Sequence, residues 1–250
     1  MRKTRIFVDT RLEEGSRIRL GVEAGRYLAK VLRLEPGAIF SVFNGEGGEF
    51  EASVEKLEHD GVQALVGAYA NTDRESPLEI TLVQGVSRGE RMDFTIQKAV
   101  ELGVGTIVPV ITQRSVVRLD AARRARRLEH WRGVAVHASQ QCGRTRVPMV
   151  RSASGLDEWL GENAGRDRQM GFVLAPEAAR GLNEVEAVPG RVALLVGPEG
   201  GLSEEEQALA ERSGMQALAL GPRILRTETA ALAAITALQL RWGDLSVQSR

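Results

Sequence analysis

The stretch Val192–Glu206, VALLVGPEGGLSEEE, decides how the larger part of this chain is read. Its apolar start, VALLV, is closed at once by Gly197 and Pro198. A run this short, bounded by turn residues, is the pattern of a strand buried on both faces. The chain then passes through Gly197-Pro198-Glu199-Gly200-Gly201, and Ser203 with Glu206 three residues on forms a capping box that starts a helix. Glycines at the carboxyl end of a parallel strand let backbone approach a ligand closely, at the edge where open α/β sheets bind. The turn has neither the G-x-G-x-x-G nor the G-x-x-x-x-G-K-[ST] spacing, which argues against dinucleotide dehydrogenases and P-loop enzymes. Three glutamates open the helix and would repel phosphate, so a ligand lacking phosphate suits this turn. A plain βα connection without a ligand is the competing reading.

Downstream, LALGPRILRTETAALAAITALQL (218–240) repeats the theme. A short strand ends at Gly221-Pro222, and Arg223, Arg226, Thr227, Glu228 and Thr229 crowd the entry to an apolar helix. Either threonine could cap that helix. The helix carries alanines on several faces, which suits close packing against another helix or a second subunit. Upstream, strands are expected at 78–85, 106–111, 171–175, 192–197 and 217–220. Helices are expected at 93–103, near 120–141, at 203–213 and at 229–242, with Asp93 as N-cap of the first and Gly103 just past its end. Strands alternating with helices imply an α/β fold, a parallel sheet flanked by helices.

Before residue 71 the texture differs. Short strands are expected at 5–8, 16–20, 38–43, 48–57 and 62–70, parted by turns such as Pro36-Gly37 and Asn44-Gly45, with one helix at 25–33. That predicts a small β-barrel domain. The polar stretch 71–77, ending in Pro77, reads as the linker, so the domains are expected at 1–72 and 73–250.

The chain has 250 residues and a formal net charge of zero. That neutrality hides an asymmetry: between residues 114 and 151 ten arginines face only Asp120 and Glu129. Arginine donates a planar pair of hydrogen bonds to phosphate, so polyanion binding is favoured over a merely solvated helix face. A single cysteine, Cys142, excludes an internal disulfide framework and reads as a small buried hydrophobe. His59, His130 and His137 lack metal-ligand spacing, so no metal is expected. The charged N-terminus has no apolar signal segment, and no apolar run approaches the length of a membrane span, so the expectation is a cytoplasmic protein without membrane association.

Four segments together, SRGERMDFTIQKAVELGVGTIVPVITQRSVV (87–117), QCGRTRVP (141–148), LLVGPEGGLSEEE (194–206) and LGPRILRTETA (220–230), resemble the ribosomal RNA small subunit methyltransferase E family of the SPOUT superfamily. RIFV (5–8), KVLRLEPG (30–37) and VFNGEGGEF (42–50) resemble its PUA-like domain, so the likeness covers nearly the whole chain. It implies a trefoil-knotted SPOUT catalytic domain, a homodimer, and transfer of a methyl group from S-adenosylmethionine to N3 of one uridine in 16S rRNA within the small ribosomal subunit, leaving S-adenosylhomocysteine. The cofactor pocket it implies uses Leu174 and Pro176 after one strand, Gly197, Pro198, Glu199, Gly200 and Gly201 after the next, and Leu218, Leu220, Gly221, Ile224, Leu225, Arg226 and Thr229 after the third. Family members often carry histidines where this chain has Arg26 and Tyr27, and a glutamate where it has Gln140, which puts in doubt any scheme with a carboxylate base there.

Uridine N3 becomes nucleophilic only as its imide ionises. Arg226 is the candidate to stabilise that charge and Glu228 to accept the proton or orient the arginine, an ion pair between them being the structural alternative. Phosphate contacts are expected from Arg5, Arg33, Arg88, Arg91 and Arg114, from Arg123, Arg124, Arg126 and Arg127 in the basic helix, and from Arg144 and Arg146. The rivals are a SPOUT enzyme acting on ribose or tRNA and a non-catalytic RNA-binding protein with a degenerate pocket.

Overall fold

The computed structural model describes residues 4–115, 120–163, 169–186 and 190–246, so Arg118 and the last two residues of the 87–117 segment lie outside the described residues. The chain divides into two compact units, Met1–Glu75 with Ser139–Val147, and Ser76–Ala138 with Pro148–Arg250.

In the first unit, β1 (Arg5–Phe7), β2 (Arg17–Leu20), β3 (Ile39–Phe43), β4 (Glu49–Glu58) and β5 (Gly61–Ala70) form a curled sheet in the order β1-β3-β4-β5-β2. Only β1 and β3 run parallel; the other pairs are antiparallel. Alternate residues such as Val62, Ala64 and Val66 point inward with Leu20, Phe40 and Val42, the pattern of a sheet wet on one face. The helix expected at 25–33 begins earlier, as α1 (Val22–Arg26), and continues as a π-helical turn, Tyr27–Val31, where the Leu32 amide donates to the Tyr27 carbonyl at 3.0 Å.

Residues 139–147 complete this unit. The boundary drawn from the sequence at 72/73 places them with the second domain, but their packing partners lie in the first. Arg5 donates to the carbonyls of Ser139 (3.0 Å) and Arg144 (2.9 Å), pairs with Glu49 and lies over the Phe43 ring. Arg144, only 5% exposed, forms an ion pair with Glu75. The expectation that Arg5 and Arg144 grip phosphate is therefore corrected: both guanidiniums are spent inside the fold. Gln140 Oε1 accepts the Phe7 amide at 2.8 Å, a structural post rather than a base. The presumed linker is tied down as well, because Thr145 Oγ1 donates to the Thr72 carbonyl and Arg74 to that of Gly143.

The second unit contains β6 (Glu79–Gly85), α2 (Glu90–Glu101), β7 (Thr106–Ile111) and α3 (Ala121–Cys142), whose last turn packs in the first unit. There follow β8 (Met149–Val150), β9 (Ser154–Gly155), α4 (Leu156–Asn163), β10 (Gln169–Leu174), β11 (Arg191–Val196), α5 (Glu204–Arg212), β12 (Met215–Leu218) and α6 (Thr227–Trp242). The sheet runs β12-β10-β11-β6-β7-β8, with β9 also on β7, and every pairing is parallel. Val83, Val108, Val173 and Leu195 on one face pack with Trp159 and Leu160 of α4 and Ala210 of α5. Helices α2 and α6 pack against each other, and α6 against β6 and β11. Burial on both faces explains why these strands read as apolar runs rather than alternations.

Asp93 does not cap α2. The helix starts three residues earlier, after Gly89, and Asp93 Oδ2 instead meets His130 Nε2 of α3 at 2.7 Å. Gly103 does follow the end of α2, at φ +85°. Helix α4 and the short strands β8 and β9 are additional to the sequence reading. Breaking a buried ion pair by truncating one partner strands the other, so Arg144→Ala is expected to lower unfolding free energy by about 3 kcal/mol in urea titrations.

Candidate functional site

Three neighbouring parallel strands, β10, β11 and β12, end side by side at Leu174, Val196 and Leu218. The segments that follow them close around one cavity of about 480 Å³. Its lining brings together Leu174, Pro176, Gly197, Pro198, Glu199, Gly200 and Gly201 with Leu218, Leu220, Gly221, Ile224, Leu225, Arg226 and Glu228. Thr229, expected among them, is not on the wall. Helix α6 begins at Thr227, so Thr229 is two residues, about 200°, further round the helix and faces outward. Arg91, Arg114, Arg223, Thr227 and Ala230 join the lining without having been expected as cofactor contacts.

The two turns are locked by one hydroxyl. Thr227 Oγ1 donates to the Gly197 carbonyl at 2.5 Å and accepts from Gln84 Nε2 at 2.9 Å. Gln84 is fully buried at the end of β6. A capping role for Thr227 is not what forms: Arg226 occupies the N-cap without a side-chain bond, and Thr227 is already in the helix. Below this node the backbone is crowded. A Cβ on Gly85 would lie 2.5 Å from the Pro198 nitrogen, and one on Gly197 2.9 Å from the Gly201 carbonyl carbon. The Gly201 amide closes the turn on the Pro198 carbonyl at 2.8 Å, with Gly201 at φ +70°, where a side chain is strained.

The capping box is formed, and it does more than cap. The Glu206 amide donates to Ser203 Oγ, Glu206 Oε2 accepts the Ser203 amide, and Oε1 accepts the Gln113 amide at 2.7 Å from the loop after β7. Arg114 in the same loop donates to the Gly200 carbonyl at 3.1 Å. Glu199 accepts from the Arg88 amide at 3.0 Å and the Arg91 guanidinium at 2.9 Å. Burial pushes its carboxyl up, but those donors together outweigh it and hold the group below its ordinary value.

Arg226 is exposed and, among the described residues, neither it nor Glu228 forms an ion pair, so the Arg226–Glu228 pair is not made. Glu228 Oε2 is buried and has no hydrogen-bond partner among the described residues. Buried carboxylate oxygens are satisfied by a donor, here from water or a ligand. Of the remaining arginine candidates, Arg33, Arg88, Arg123, Arg126 and Arg146 are exposed, and Arg124 and Arg127 are half-buried on α3. Among the described residues no three His, Cys, Asp or Glu side chains gather as a metal site.

Thr227→Val removes the hydroxyl between Gln84 and Gly197 and is expected to cost about 2 kcal/mol of stability in denaturant titrations. Because Glu199 holds its proton less tightly folded than unfolded, its contacts stabilise above the ordinary carboxylate range and are lost as pH falls through its folded value. Glu199→Gln should therefore melt below wild type at about pH 7, with the gap closing towards about pH 3.

The RNA methyltransferase domain family matches residues 74–239, and the RNA methyltransferase PUA domain family matches residues 20–66. A relative from Buchnera aphidicola subsp. Schizaphis graminum, named ribosomal RNA small subunit methyltransferase E, is 33% identical over 97% of this chain and 98% of its own. The protein of that name from Bacillus subtilis is 32% identical over 91% of each chain. A crystal structure of the Neisseria gonorrhoeae ribosomal RNA small subunit methyltransferase E, bound to S-adenosyl methionine, superposes with a TM-score of 0.90 at 39% identity, covering 98% of this chain and all of that one. This chain belongs to the RNA methyltransferases of the ribosomal RNA small subunit methyltransferase E family.

Proposed function

We propose that the protein transfers a methyl group from S-adenosylmethionine to N3 of one uridine in 16S rRNA, within the small ribosomal subunit, and releases S-adenosylhomocysteine. The observation that carries this reading is the cavity at the carboxyl ends of β10, β11 and β12, where the glycine turn and the arginine–threonine turn meet. It fits the cofactor in its chemistry. The backbone at Gly197, Gly200 and Gly201 offers polar groups without side chains in the way. Leu174, Leu218, Leu220, Ile224 and Leu225 supply apolar wall, and no phosphate fingerprint is needed for a ligand without phosphate.

When bound, S-adenosylmethionine supplies an electrophilic methyl group on a sulfonium. The chain's own residues supply the rest. Arg226, exposed at the cavity wall, stabilises the negative charge that spreads onto the uracil carbonyl oxygens as N3 loses its proton. Glu228, with one carboxylate oxygen buried and unpartnered, accepts that proton; the missing Arg226–Glu228 pair argues against its acting only to orient the arginine. The turn at 197–201, held by Thr227, would position the cofactor against the base, and positioning of this kind lowers a barrier by several kcal/mol. The target base must leave its stack to enter.

The same reading assigns the first unit, Met1–Glu75 with Ser139–Val147, as a PUA-like RNA-gripping domain and the second unit as the SPOUT domain, tied as a trefoil knot. It assigns a homodimer formed through α6, where Leu240 is exposed, and a cytoplasmic location. No described helix is long and apolar enough to cross a membrane.

Calorimetry of the full chain with S-adenosylmethionine is expected to show saturable binding that Arg226→Ala weakens by no more than about threefold while its methylation rate falls about 100-fold. Mass spectrometry of nucleosides from 16S rRNA should find 3-methyluridine only in cells with the active protein. Equal amounts without it, or no cofactor binding, would refute the assignment.

A further inference from the structure

Phe94 is a large aromatic side chain left 46% exposed on α2, one helical turn from the cavity. Arg91, three residues before it, is part of the cavity lining, and Lys98, four residues after it, lies over its ring at 6.0 Å. Residues three and four apart share a helix face, so Phe94 stands between two cations on a surface that begins at the cavity wall. The same surface continues onto α3. Asp93, the neighbour of Phe94, is bonded to His130, and Arg126 and Arg123 lie four and seven residues before His130, on its side of that helix. Both arginines are exposed.

Burial would be the ordinary fate of a phenylalanine on this amphipathic helix, whose Met92, Ile96, Ala99 and Val100 are all buried. An aromatic face set between guanidinium and ammonium groups is instead the arrangement that holds unpaired nucleotides: each base has a π-face to stack, and the cations track the phosphates. Arg91 gives one N–H to Glu199, which fixes its position and leaves other donors of the fork free for a phosphate.

We propose that Phe94 is a stacking platform for an unpaired nucleotide next to the one that enters the cavity, with Arg91, Lys98, Arg126 and Arg123 holding the flanking phosphates. Phe94 is thus a positioning residue: it presents the RNA strand so that the neighbouring base drops into the pocket. The inference rests on the methyl-transfer reading for what the cavity holds, but not for the binding of the strand.

The test compares wild type, Phe94→Ala and Phe94→Trp in the full chain. Small ribosomal subunits lacking the modification serve as substrate, and a fluorescein-labelled oligouridylate as a binding probe. Phe94→Ala is expected to weaken oligouridylate binding and raise KM for the subunit about tenfold, with kcat within about threefold and S-adenosylmethionine affinity unchanged. Phe94→Trp should restore both. The proposal is overturned if Phe94→Ala binds the oligonucleotide within about twofold of wild type, if Phe94→Trp fails to restore binding, or if Phe94→Ala changes the sedimentation of the protein, which would make Phe94 a subunit contact. If wild type binds the oligonucleotide through Phe94 yet neither binds the cofactor nor methylates, the methyl-transfer reading fails while the platform stands.

Discussion

The site depends on where one hydroxyl group sits. Thr227 is the first residue of α6, and its oxygen joins the end of β6, through Gln84, to the end of β11, through the Gly197 carbonyl. Three chain segments far apart in sequence thus meet at a single polar node inside an otherwise apolar sheet edge. A buried carbonyl without a partner is costly, so the node pins the glycine turn in the one conformation that also packs Pro198 onto Gly85. At the edge of the cavity this bond ties the turn to the entry of α6, while Glu206 and Arg114 anchor the turn from its other side.

Much of the fold was legible because its determinants are local. Val192–Val196 is apolar throughout since the strand is covered on both faces, and Ser203 with Glu206 marks the start of α5 by a hydrogen-bond pattern readable from spacing alone. The turns at 197–201 and 221–222 stood out by glycine and proline at strand ends, whereas the segment at Leu174–Pro176 came only through the family resemblance. What local pattern could not supply were the partners chosen across the fold. Asp93 has the chemistry of an N-cap, but His130, thirty-seven residues on, competes for it. Thr227 and Thr229 look equivalent in sequence, and only the register of α6 separates them. Glu206 reads as half of a capping box, and its second bond, to the Gln113 amide, has no sequence signature.

The arginine-rich stretch shows how charge counting blurs distinct tasks. Arg144 belongs by composition to a basic patch but neutralises Glu75 within the core, and Arg5 works beside it. Arg123 and Arg126, in the same arginine-rich stretch, face solvent. Guanidinium groups suit both roles because a planar fork satisfies backbone carbonyls as well as phosphates. Burial, rather than composition, separates those that build the fold from those available to a ligand.

The insertion of residues 139–147 into the first unit has a consequence for biosynthesis. The N-terminal sheet cannot complete its packing when its own strands have emerged from the ribosome, because the segment that Arg5, Arg74 and Glu75 grip is encoded about seventy residues later. At roughly 5–20 residues per second the half-built unit waits roughly 4–14 s, its guanidiniums and Glu75 carboxylate without their final partners. Vectorial synthesis therefore does not finish this protein front to back; its leading part matures only after much of the trailing part has been made.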